Sequence, residues 1–189
     1  MSKRTDPDKI TLGSGKIYIL EFSGEMPEID AFCKEENLLG KIQGGAQLNY
    51  TTETHEEQDD LGTVSKVIIT KEAATLKLGL ITFNGQTIAK LNDRCKVTED
   101  TEKGRRTLHI GGHGNSQGKE WAYCFHHIDK KDGDSWVRVR GANQAGLALA
   151  YSMDSGSKLE PEIKALPSDT EGTLIIYDEE IGTSAAAGE

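Results

Sequence analysis

His55, Glu56, Glu57 and Asp59 stand in the run TETHEEQDDLGTVSK (52–66), which begins like the H-E-x-x-H string of zinc proteases. That chemistry needs a second histidine four residues on, because only an i, i+4 pair on one helix brings both imidazoles to one metal. Asp59 occupies that place, and the surrounding pattern is not helical. No metal site is expected. The run instead carries Glu53, Glu56, Glu57, Asp59 and Asp60 within residues 53–60 and reads as a charged, solvated loop.

Other residues that could do chemistry fail in similar ways. GGHGNSQG (111–118) has its glycines one residue too far apart for a dinucleotide fingerprint, and a strand is expected after it. GSGK (13–16) has Ile17 where a phosphate loop needs a hydroxyl and Ile10 where its first glycine belongs. His126 and His127 are adjacent, so on a strand they point to opposite faces and cannot share a metal. His127 falls in phase with Trp121, Tyr123 and Phe125 and is read as a core-edge or interface histidine. His109 and His113 could approach His126 across a hairpin, with no carboxylate obviously beside them. No nucleophile–base constellation stands out, so neither catalysis nor a cofactor is expected. Cys33, Cys95 and Cys124 are odd in number and far apart in sequence, which argues against a disulfide framework and for thiols in a chain made in a reducing cytosol.

The totals narrow the class. The 189 residues suit one domain, and 35% hydrophobic with 28% charged residues is a globular composition. A net charge of −9 disfavours tight binding to phosphate, while leaving room for a surface past which DNA slides. No apolar run approaches the ~18 residues of a membrane span, and the start of the chain lacks the apolar core of a secretory signal.

The elements follow from period and punctuation. Residues 1–14 are read as a polar arm, 15–181 as one domain and 182–189 as a flexible tail. GKIYILEF (15–22) is a buried strand; residues 26–40 form a short helix from Pro27 toward Gly40. In KIQGGAQLNYT (41–51), Ile42, Ala46, Leu48 and Tyr50 alternate with Lys41, Gln43, Gln47, Asn49 and Thr51, a half-buried strand. A second long strand runs through 63–83, its apolar phase slipping near Glu72–Ala74 as at a bulge. A helix over 84–95 is capped by Asn84 and shows Ile88, Leu91 and Cys95 on one face. Strands are expected at 105–112, 119–129, 135–141, 146–153, 161–167 and 173–180. This is an α+β, mainly β chain: an antiparallel sandwich or barrel with a flanking helix and a long inter-strand loop.

The succession GKIQGGAQLNYTTETHEEQDDLGTVSKVIITKEAATLKLGLITFNGQTI, VTEDTEKGRRTLHIGGHGNSQGKEW, HHIDKKDGDSWVRVRGANQAGLALAYSMD and EIKALPSDTEGTLIIY resembles the major tail tube proteins of long-tailed bacteriophages and phage-tail-like bacteriocins, over residues 40–177. The resemblance rests on order, spacing and length rather than on one sharp motif. It implies the phage tail tube fold, and hexameric rings that stack into a tube through which DNA passes without specific binding. It also implies tail partners: a tape measure, a tail terminator, a baseplate or tip, and in contractile systems a sheath. The location implied is the virion tail, after synthesis in a bacterial cytoplasm. On this reading Gln43, Gln47, Asn49, Thr51 and Lys77 are lumen candidates. Glu53, His55, Glu56, Glu57, Asp59 and Asp60 form a loop docking on a neighbour, with Lys103, Arg105, Arg106, Lys130 and Lys131 as its basic complement. The rival from another class is a small β-sandwich carbohydrate binder, which needs an aromatic-lined groove; aromatics are only 6% of the chain. A third reading, a hydrolase using His113 or His127, lacks partners in the sequence.

Overall fold

The computed structural model describes residues 14–151 and 156–181. Residues 1–13 of the expected arm, the C-terminal tail and residues 152–153 of the expected 146–153 strand lie outside them. Among the described residues nine strands follow in chain order: β1 Gly15–Glu21, β2 Leu38–Gln58, β3 Ser65–Leu80, β4 Cys95–Asp100, β5 Arg105–Ile110, β6 Trp121–His127, β7 Ser135–Asn143, β8 Glu162–Leu166 and β9 Ile176–Glu179. Helix α1 is Ile29–Phe32 and α2 is Gly85–Leu91.

The large sheet runs β6-β1-β2-β3-β8-β7, and β7 also pairs with β6, so the sheet closes into an antiparallel barrel. Strand β6 holds one edge of β7, while β8 and β9 share the other. Closure leaves little room at the crossings. A Cβ at Gly141 would run into the Lys164 carbonyl, and one at Gly40 into that of Thr82. Strands β4 and β5 form a separate hairpin.

Alternation along the strands sorts side chains into two apolar clusters. Ile17, Ile19, Tyr123, Val139, Leu76, Leu78, Leu80 and Ile163 fill the main core. The opposite faces of β1 and β6 give Tyr18, Ala122 and Cys124, which α1 covers with Phe32. Arg138 of β7 is buried on that outer side; it donates to both carboxylate oxygens of Asp178 at 2.9 and 3.0 Å and to the Pro27 carbonyl at 2.9 Å. Helix α2 adds Leu91 to the main core. The Asn84 side chain caps it, accepting from the Gln86 and Thr87 backbone N–H groups.

Several expectations need correction. The helix expected across 26–40 is one turn at α1 plus a 3-10 turn at Glu35–Asn37, after which the chain is already strand. Cys95 leaves the α2 face and opens β4, a strand the sequence reading missed. Residues 146–151 form no strand. Leu147 and Leu149 do pack on the core, but the β7 edge they would need is taken by β8 and β9. Likewise Leu174 and Ile175 pack on the core while the ladder starts only at Ile176. The expected bulge lies at Thr70, where the β2–β3 register skips a residue between Glu53 and Thr54. The largest correction concerns 52–66: the polar loop is continuous strand through Gln58, turns over residues 59–64, and resumes at Ser65.

Candidate functional site

That correction creates the most unusual feature of the molecule. Strands β2 and β3 leave the barrel together as a two-stranded ribbon whose residues 51–72 are all exposed. Strand β1 pairs with β2 only over Leu38–Lys41, and β8 pairs with β3 only over Thr75–Lys77. Beyond those points both outer edges of the ribbon are unpaired among the described residues. Such edges carry rows of unmet N–H and C=O groups that template further strand pairing.

The register assigns the ribbon's two faces. Ala46, Leu48, Tyr50, Thr52, Thr54 and Glu56 share one face with Leu78, Leu76, Ala74, Glu72, Ile69 and Val67. On it the Tyr50 hydroxyl donates to Glu72 at 2.6 Å, and this bond raises the tyrosine's pKa. The other face carries Gln47, Asn49, Thr51, Glu53, His55 and Glu57 opposite Lys77, Thr75, Ala73, Lys71, Ile68 and Lys66. Here Gln47 donates to Asn49 at 3.2 Å, Lys71 pairs with Glu53 at 2.7 Å, and His55 lies 2.8 Å from Glu57. Gln47, Asn49, Thr51 and Lys77 therefore share one polar face. Gln43 stands beside them at a wide bulge, where Gly44 and Gly45 adopt φ of 87° and 78°. Gln43, Gln47 and Lys77 line one depression with Glu162, whose carboxyl is held low by Lys77 at 3.0 Å and by Gln144.

The acidic residues play different parts. Asp59 builds the turn: it accepts from the Val64 N–H at 2.7 Å and the Thr63 hydroxyl at 2.7 Å, and both bonds hold its carboxyl below the usual range. Glu53 is paired with Lys71. Glu56 and Asp60 form no hydrogen bond or ion pair among the described residues. The basic candidates divide as well. Lys103 and Arg106 belong to the β4–β5 hairpin and are neutralised there by Asp100 and Glu99. Arg105 is on β5, and Lys130 and Lys131 are on the β6–β7 turn. None of them meets residues 53–60 within the chain.

The histidines hold one surprise. His126 Nε2 lies 2.7 Å from Asp134, and its ring stacks on Trp136 at 4.9 Å. Asp134 also accepts from the Asp129 N–H, closing the β6–β7 turn. The sequence held the signal, an acid eight residues after a strand histidine across a short turn. The imidazole's other nitrogen is buried with no partner, so no nucleophile is bonded to this pair. His127 is buried on the opposite face. Burial pushes the Cys124 thiol well up, which leaves it inert as a nucleophile. Among the described residues no three potential metal ligands gather, and no helix is long and apolar enough to cross a membrane.

No protein-family profile matches the chain, and no curated protein is significantly similar to it in sequence.

Proposed function

We propose that the chain is a structural subunit that works by self-assembly, its ribbons pairing edge to edge into closed rings that stack as a tube. The observation that carries this reading is the ribbon. Val67, Ile68 and Ile69 are 56%, 47% and 59% exposed on a strand pair with two open edges. A monomer has no use for such a structure and risks aggregation through it, whereas ring closure pairs every edge. The resemblance to phage and bacteriocin tail tube proteins makes the rings hexameric and the cargo DNA. The polar face of Gln47, Asn49, Thr51 and Lys77 then lines the lumen, while −9 net charge disfavours phosphate binding elsewhere. The ribbon's distal acids meet a neighbouring subunit or ring, and the tube joins tape measure, terminator and baseplate or tip proteins in the virion tail. A carbohydrate-binding module is less well supported, because it needs a groove lined by aromatics and these are only 6% of the chain.

Negative-stain electron microscopy of the concentrated protein tests the reading. Rings or tubes of uniform width are expected, and they should vanish when residues 51–71 are replaced by a tight turn. A chain that stays monomeric at every concentration rejects it.

A further inference from the structure

Away from the ribbon, α2, β4 and the 113–119 turn enclose a groove of about 490 Å³. Its apolar wall includes Ala89, Val97 and the Trp121 ring. Lys90, Lys96 and Lys119 complete it, with the Lys90 and Lys119 ammonium groups 6.0 and 5.8 Å from the indole centroid. No carboxylate lines this groove, in a chain with 31 acidic and 22 basic residues. Lys119 is engaged by Glu21. Lys90 and Lys96 have no acidic partner among the described residues.

An apolar wall beside free ammonium groups suits a partner with an apolar centre flanked by carboxylates. The ribbon supplies that pattern on one face only. There Val67 and Ile69 lie side by side, Glu56 stands directly across from Val67, and Glu72 follows beyond the bulge. The opposite face is mixed in sign, with Lys66 and Lys71 among Glu53 and Glu57. It offers this groove no comparable match.

We infer that the α2–β4 groove is the receptor for the Val67–Ile69 face of a second copy's ribbon, with Lys90 and Lys96 meeting Glu56 and Glu72. This rests on the self-assembly reading and names the surface that reading leaves open. It replaces Lys103 and Arg106, which are already neutralised at home, as the basic side of the contact. The apolar contact supplies affinity, and the lysines select the face that docks.

The test mixes isotopically light and heavy protein, allows assembly, and links carboxylates to amines with a carbodiimide before mass spectrometry. Links from Lys90 or Lys96 to Glu56 or Glu72 that join a light to a heavy peptide are expected. Lys90→Glu with Lys96→Glu should lower the assembled fraction by about tenfold; adding Glu56→Lys and Glu72→Lys should restore it. Lys96→Glu alone, at an exposed strand position, should weaken assembly without altering the melting temperature. Assemblies that form normally in the lysine variants, or that carry no mixed links to these lysines, overturn the groove assignment and leave the ring reading intact. Saturation of Lys90 and Lys96 by a short oligonucleotide with no effect on assembly also overturns it. A protein that never assembles overturns both.

Discussion

Strands β2 and β3 pass through two environments with the same ladder of backbone bonds. In the barrel half, Leu76, Leu78 and Leu80 are 1%, 4% and 0% exposed. In the ribbon half, Val67, Ile68 and Ile69 are about half exposed or more. Val67, Ile68 and Ile69 are as apolar as the three leucines, so the hydrophobicity of a residue alone does not decide whether it is core. Burial comes from what the barrel brings over each face, and nothing among the described residues covers the ribbon. The barrel half therefore stabilises the monomer, and the ribbon half is available to stabilise a complex.

Truncation should separate the two halves most widely. Leu76→Ala should cost the monomer about 2–5 kcal/mol, while Val67→Ala should shift its stability by about 0.5 kcal/mol or less. Urea unfolding of both variants below the assembly concentration measures the contrast, and equal losses would erase it. Arg138→Met leaves the part-buried Asp178 carboxylate and the Pro27 carbonyl without their donor. It should cost about 2 kcal/mol, again with no effect on the ribbon. Asn84→Ala removes the α2 cap for about 1 kcal/mol, and thermal unfolding reads it. The smallest effect belongs to the ribbon's end. The Asp59 carboxyl is depressed on folding by the Val64 N–H and the Thr63 hydroxyl. Its stabilisation is full above the unfolded value near 3.9 and is lost as pH falls through the folded value. The 59–64 turn should loosen as pH drops from about 4 toward 2, seen as faster exchange of the Val64 amide while amides of β1 and β6 stay protected.

The same contrast explains what could be read from the sequence. The cap and period of α2 and the sharing of one face by Gln47, Asn49 and Thr51 were legible because those elements are half covered and so show a period; β6 and β7, buried on both faces, were legible from their aromatic and β-branched residues between turn signals. Glu53–Gln58 read as loop because both faces of the ribbon meet solvent and no alternation marks them as strand. Strand β4 escaped notice for a related reason: CKVTED has one buried and one half-buried residue. Leu147 and Leu149 misled in the other direction, since they pack by side chains without joining a ladder. The groove was invisible, because Lys90, Lys96, Lys119 and Trp121 come from separate segments that only the tertiary fold assembles. The His126–Asp134 pair was within reach of the sequence and was passed over.

Thr70 gives the ribbon a genetic signature. It is the one residue of distal β3 without a partner on β2, and its hydroxyl donates to the Glu53 carbonyl at 3.1 Å. Loss of its single codon would make the ladder regular and leave every partner and face as it is, because Lys71 and Ile69 already oppose the successive residues Glu53 and Thr54; only the bend and added twist that a bulge gives its strand would go. Such a deletion should give a normally folded product that keeps the Val67–Ile69 face and loses only the ribbon's bend, so its assembly reads how far ring closure depends on that bend.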